Sequence, residues 1–193
     1  MTQILAPGFA SLHDAQRHFR AILTALSRPG VVVDLPPGLA APPPISPAAA
    51  GILLTLTDPA TRVALPETPG LRDWLAFHTG AKFAPSCDAD FVLAPSPPDL
   101  ATLQTGTEDE PETGATLILE IPAFDQGPKY RLAGPGIETE CFVRLPLDQN
   151  FAAARAKIHK LNPRGVDILL CAGTQILGLP RSTFMEPADQ WPT

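Results

Sequence analysis

The chain has 193 residues, of which 45% are hydrophobic and 18% charged, a length and balance that suit one globular domain spanning 1–193. A net charge of -6 with 14 dispersed basic residues argues against nucleic acid as a partner. No apolar run approaches the roughly 18 residues needed to cross a bilayer, and the opening MTQILAPGFASLHDAQRHF has no basic region followed by an apolar one. The expectation is a cytoplasmic protein with no membrane contact.

Ser11 with Asp14 three residues on resembles a capping box, and Leu12, Ala15, Phe19, Ile22, Leu23 and Leu26 recur at helical spacing up to Ser27. Pro29-Gly30 stops that helix, and the β-branched run GVVVDL (30–35) follows as a strand. The proline-rich segment 36–47 reads as an extended surface loop. Ser46 as N-cap and Pro47 at the first helical position then open a second helix, apolar almost all round and therefore buried, which ends before Asp58-Pro59. A third helix, LRDWLAFHT (71–79), is stopped by Gly80. Strands are expected at 89–94, 115–121, 129–133, 140–145, 166–172 and 175–179, with a short helix at 99–104 and a longer one at 147–161. The runs 115–121 and 166–171 are almost continuously apolar, as strands covered on both faces are. The fold class is α/β, with a mixed central β-sheet flanked by helices.

The glycine break LAGPGI after the strand at 129–133 invites comparison with phosphate-binding loops. Neither the P-loop spacing nor a third Rossmann glycine is present, Pro135 has no N–H to offer, and Glu138 and Glu140 flank it. A hairpin turn is the better reading. Cys87, Cys141 and Cys171 lie far apart without ligand spacing, so no disulfide or cysteine-based metal site is expected, and Cys141 and Cys171 read as packing residues. His13 and His18, five residues apart on different faces of the first helix, read as solvated surface or ordinary helix positions. His78, in the last turn of its helix, either complements the helix dipole or faces a cleft. The acidic run 108–112 reads as a solvated loop, with Glu112 the member closest to a buried strand. Arg28, Arg164 and Arg181 each adjoin a proline at an element end. They could converge on an anion, or could stiffen loops, for example through an Arg164–Asp167 pair.

The ordered segments ALSRPG (25–30), LLTLTDPAT (53–61), FHTGA (77–81), ADF (89–91), GTEDEPETGATLIL (106–119), LAGPGI (132–137), PRGVDILL (163–170) and LPRST (179–183) resemble the PhnH family, from about Ala15 to Thr183. That resemblance implies a subunit of the bacterial carbon-phosphorus lyase core complex in organic phosphonate catabolism. There it would support formation of a ribose 1-phosphonate 5-triphosphate from a nucleoside triphosphate and a phosphonate. It implies other lyase subunits as partners, a homodimer in isolation, and a fold like the large domain of pyridoxal-phosphate-dependent transferases. A radical C–P-cleaving subunit would need clustered cysteines, which this chain lacks. A pyridoxal enzyme needs a Schiff-base lysine. Only Lys82, Lys129, Lys157 and Lys160 exist, so pyridoxal phosphate is not expected, nor is any other cofactor or metal. Arg28, His78, Glu112, Arg164, Asp167 and Arg181 are the polar members of the matching segments and the candidate substrate-binding residues. The alternative is a free-standing enzyme on a phosphorylated metabolite, with the arginines binding the anion and His78 moving a proton.

Overall fold

A computed structural model describes residues 6–188, so the reading of Met1 to Leu5 as lacking a signal falls outside it. Its helices are α1 (Leu12–Ser27), α2 (Pro47–Leu56), α3 (Leu71–Thr79) and α4 (Gln149–His159). Its strands are β1 (Val32–Asp34), β2 (Arg62–Ala64), β3 (Lys82–Phe83), β4 (Phe91–Ala94), β5 (Thr116–Glu120), β6 (Lys129–Ala133), β7 (Cys141–Arg144), β8 (Asp167–Ala172), β9 (Gln175–Leu179) and β10 (Phe184–Pro187). Seven strands form the main sheet, in the order β1-β9-β8-β5-β4-β2-β3, and β10-β6-β7 form a second, antiparallel sheet. β8, β5, β4, β2 and β3 run parallel, while β9 is antiparallel to both β8 and β1, so β1 runs with the rest. The main sheet is thus mixed, as expected, but the strands at 129–133 and 140–145 leave it to pair with β10.

The apolar runs at the centre behave as strands buried on both faces must. Leu117, Leu119, Ile168 and Leu170 pack on one side with the second sheet, Phe151 and Ile158. Ile118, Leu169 and Cys171 pack on the other with α1, α2 and α3, through Ile22, Ile52, Leu53 and Trp74. Local signals set the helix starts: Ser11 caps α1 and Ser46 caps α2, each accepting a hydrogen bond from the backbone N–H three residues on. The face of α1 that carries Leu12, Phe19 and Leu23 is left exposed, whereas Ile22 and Ala25 are buried.

One expectation fails and three strands were not anticipated, in each case because the element is short. The helix at 99–104 is a single 3-10 turn, Leu100–Thr102, whose backbone is satisfied locally by Asp99. Six residues hardly repay the cost of nucleating an α-helix. β2 and β3, at three and two residues, show no measurable period, and β10 ends in a proline, which only an edge strand accepts.

α1 crosses the sheet over β9, where a Cβ on Gly178 would stand 2.4 Å from the Ala25 carbonyl oxygen. Gly178→Ala is expected to cost about 1–3 kcal/mol, read as a lower urea midpoint with an unchanged m value, because rigid backbone must move.

Candidate functional site

Since six strands of the main sheet share one direction, their starting ends make one rim. The C-termini of α1, α2 and α3 and the end of β9 arrive at the same rim. The eight segments quoted above all reach it. Asp58 accepts the N–H groups of Ala60 and Thr61 ahead of β2 (2.9 and 3.0 Å), and Asp90 receives the Arg62 backbone N–H (2.8 Å) and guanidinium (2.8 Å), tying β2 to β4. The glycine break does join β6 to β7 as a hairpin. Gly136, at φ +85°, leaves no room for a Cβ beside the Ser27 carbonyl oxygen, and Gly134 lies against Ser182. The loop therefore connects the end of α1 to the end of β9 and cradles no phosphate. Glu140 beside it is engaged by Arg131 at 2.6 Å.

Arg155 of α4, which the sequence analysis passed over, holds the rim together. It is 2% exposed and its guanidinium donates to the carbonyls of Val166 (3.1 Å), Leu179 (3.0 Å), Thr183 (3.4 Å) and Pro180. Burial lowers its pKa to about 10, against the opposing pull of Asp167, so it stays charged at neutral pH. His159, one turn on, faces the Ser182 carbonyl at 3.3 Å. The chain positioned in this way presents Arg181 to Asp167. The Arg181 backbone N–H donates to Oδ1 (2.7 Å), its Nε to Oδ2 (3.0 Å), and its Nη1 to the Pro111 carbonyl. The expected partner of Asp167 was Arg164; the true one is Arg181, because the β8–β9 hairpin returns Arg181 to the start of β8 while Arg164 stands on the turn before it.

The candidates thus separate. Asp167 and Arg181 are consumed by structure. Arg28 and Glu112 are exposed and Arg164 half-buried, all on the same rim and none in an ion pair with a described residue. His78 donates from Nε2 to the Ala6 carbonyl (3.0 Å), which also accepts from the Trp74 indole (2.9 Å). It fastens the amino-terminal segment to α3.

At the opposite rim lies a second residue the sequence reading missed. His18 is 2% exposed, stacked near Phe9 with ring centroids 4.6 Å apart. Its Nδ1 lies 2.9 Å from the Asp14 carbonyl oxygen, so Nδ1 carries the proton and Nε2 is bare, facing a cavity of about 330 Å³ between residues 7–10 and 37–39. Of the two readings, solvated surface or ordinary helix position, the solvated one does not hold for His18, because Gly51 of α2 leaves space for the imidazole. The helical period alone could not reveal that. Burial lowers the His18 pKa, with the Asp14 carbonyl opposing. Burial also raises the thiol pKa of Cys141 and, far more, that of Cys171, so both are packing residues, with Cys141 half-buried. Lys82 opens β3 at the first rim, Lys129 lies 4.3 Å from the Phe142 ring centroid, and Lys157 and Lys160 are exposed on α4. These positions do not fit a Schiff-base site at the carboxyl ends of the strands, where ligands of such sheets bind.

The family model of the bacterial phosphonate metabolism protein (PhnH) matches residues 7–186. The chain belongs to the PhnH family. Among PhnH relatives, alpha-D-ribose 1-methylphosphonate 5-triphosphate synthase subunit PhnH of Rhizobium meliloti is 32% identical over 196 residues, covering 96% of this chain and 97% of the relative. HtxG of Stutzerimonas stutzeri, named a C-P lyase subunit protein, is 35% identical over 172 residues, covering 88% and 85%. The resemblance carried by the eight rim segments is therefore a family relationship over almost the whole PhnH-like chain.

Two outcomes test this geometry. Arg155→Met should destabilise by about 3–5 kcal/mol in urea unfolding, with little recovery in Arg155→Lys, since an ammonium cannot span four carbonyls. His18 binds its proton at lower pH folded than unfolded, so stability should fall as pH drops below about 6.5, by at most about 1.4 kcal/mol per unit. His18→Gln should remove that component when unfolding midpoints are compared between pH 5 and 7.5.

Proposed function

We propose that the chain is a subunit of the carbon-phosphorus lyase core complex of organic phosphonate catabolism. In it, the chain would support formation of a ribose 1-phosphonate 5-triphosphate from a nucleoside triphosphate and a phosphonate. The single observation behind this assignment is the gathering of all eight family segments on one rim, where the polar groups mostly hold backbone. Arg28, Arg164 and Glu112 lie on that rim together with the exposed Glu108, Asp109 and Glu110. Unpaired charges of both signs on a stiff support suit docking by electrostatic complementarity, and the two relatives are both named as subunits.

The same proposal includes a cytoplasmic location, a homodimer when isolated, and a likeness to the large domain of pyridoxal-phosphate-dependent transferases. The mixed seven-stranded sheet with helices packed against it supports the likeness. For the dimer, Leu12, Phe19 and Leu23 lie on one face of α1, with Val31 and Val32 exposed at the neighbouring edge strand. This apolar area gains from cover by a second chain. No helix among the described residues is long and apolar enough to cross a membrane. The free-standing enzyme loses support because its proton carrier, His78, is bound to Ala6.

Affinity capture of the tagged chain from bacteria grown on methylphosphonate as sole phosphorus source should recover the other lyase subunits. A combined Arg28→Glu and Arg164→Glu variant should lose them while keeping its circular dichroism. Recovery of none by the native chain would overturn the proposal.

A further inference from the structure

A cavity of about 610 Å³ lies at the carboxyl ends of β2, β3 and β4, at the other end of these short strands from the family segments that lead into them. Its position follows from topology. The connection from β2 to β3 runs outward to the sheet edge and packs α3 on one face, with Leu71, Trp74 and Leu75 among the residues around Ile118. The connection from β4 to β5 runs inward and packs Leu100 and Leu103 on the other face, around Leu117. Adjacent right-handed connections that leave in opposite directions part over the sheet and open a crevice at the strand ends. β2 and β4 are neighbours, so the crevice falls between them.

The side chains around this crevice share a chemistry. Arg72, the second residue of α3, stands 4.6 Å from the Phe83 ring centroid and makes no hydrogen bond or ion pair with any described residue. The Phe83 face holds the guanidinium without using its five N–H donors. The hydroxyls of Ser86 and Ser96 are likewise unengaged, while Pro66 and Pro95 add rigid apolar walls. Glu67 lines the same cavity without pairing to Arg72, and it opposes a second negative charge on any occupant.

We propose that this crevice is a binding site for a small organic oxyanion with an apolar body, a carboxylate or a phosphonate. Arg72 receives the two oxygens as a fork, the serines donate the remaining hydrogen bonds, and the proline and phenylalanine walls hold the apolar part. Highly charged anions bind less well because of Glu67. The site does not rest on the subunit assignment, and the two fail separately.

The purified chain is titrated by calorimetry and by amide chemical-shift mapping with benzoate, phenylphosphonate and inorganic phosphate. Benzoate or phenylphosphonate should bind more tightly than inorganic phosphate and shift the amides of Leu65, Glu67, Ala84, Ser86 and Ser96, the pocket residues between its prolines; which of the two binds better identifies the oxyanion. Arg72→Gln, an exposed change that leaves the core intact, should weaken binding about tenfold or more, while Arg20→Gln leaves it unchanged. Arg72→Gln should still capture the partner subunits recovered by the native chain. The proposal is overturned if neither organic probe binds, if the shifts map elsewhere, or if Arg72→Gln binds as the native chain does.

Discussion

One buried guanidinium sets the arrangement of the rim on which the family segments meet. Arg155 enters the interior with no carboxylate in direct contact and is neutralised by carbonyl dipoles from the start of β8 and the end of β9. Desolvating a cation this fully is costly, and the cost is recovered only if several acceptors stay in place together. The chain from Leu179 to Thr183 is thereby fixed from inside. Arg181, on its outer side, then reaches both Asp167 and the Pro111 carbonyl, which aligns the approaches to β5 and β8. The Nε atom of Arg155 and the hydroxyl of Thr183 are buried without a hydrogen-bond partner among the described residues.

The two rims of the main sheet have different characters. On the amino side the loops interlock through backbone-directed hydrogen bonds, and their outward charges are of both signs, with the acidic run 108–112 beside Arg28 and Arg164. On the carboxyl side connections part, and two cavities open, one over His18 and one beside Arg72. The interlocked loops of the amino side give the chain a surface held in a fixed shape. Its own open crevices lie where such a surface does not cover them.

Much of the fold was legible because it is written in local signals. Ser11, Ser46-Pro47 and Gly80 marked helix ends to within a residue, and unbroken apolar runs marked β5 and β8 as central. The GPG hairpin was legible too, since a missing N–H and two glutamates told against a phosphate. What could not be read were quantities that depend on pairs distant in sequence. Arg155 is separated from its acceptors by 11 to 28 residues, and nothing in QNFAAARAKIH distinguishes a buried arginine from a solvated one. His18 needed the small surface of Gly51 on another helix, and Asp167 chose Arg181 over the nearer Arg164 because a hairpin, not proximity in sequence, set the distance. Among the six candidate site residues, Asp167 and Arg181 are hydrogen-bonded to each other and His78 to Ala6, while Arg28, Glu112 and Arg164 lie in no ion pair with a described residue.

The outermost strands of the main sheet are very short. β3 has two residues and β1 three, the latter ending in Asp34. Unpaired strand edges are templates for adding another chain, and lengths this small leave almost no row of free N–H and C=O groups to continue. Growth of the sheet across a subunit boundary, whether as an intended continuous sheet or as an aggregate, is therefore blocked at both ends. Association at these two edges therefore rests on side chains more than on backbone ladders.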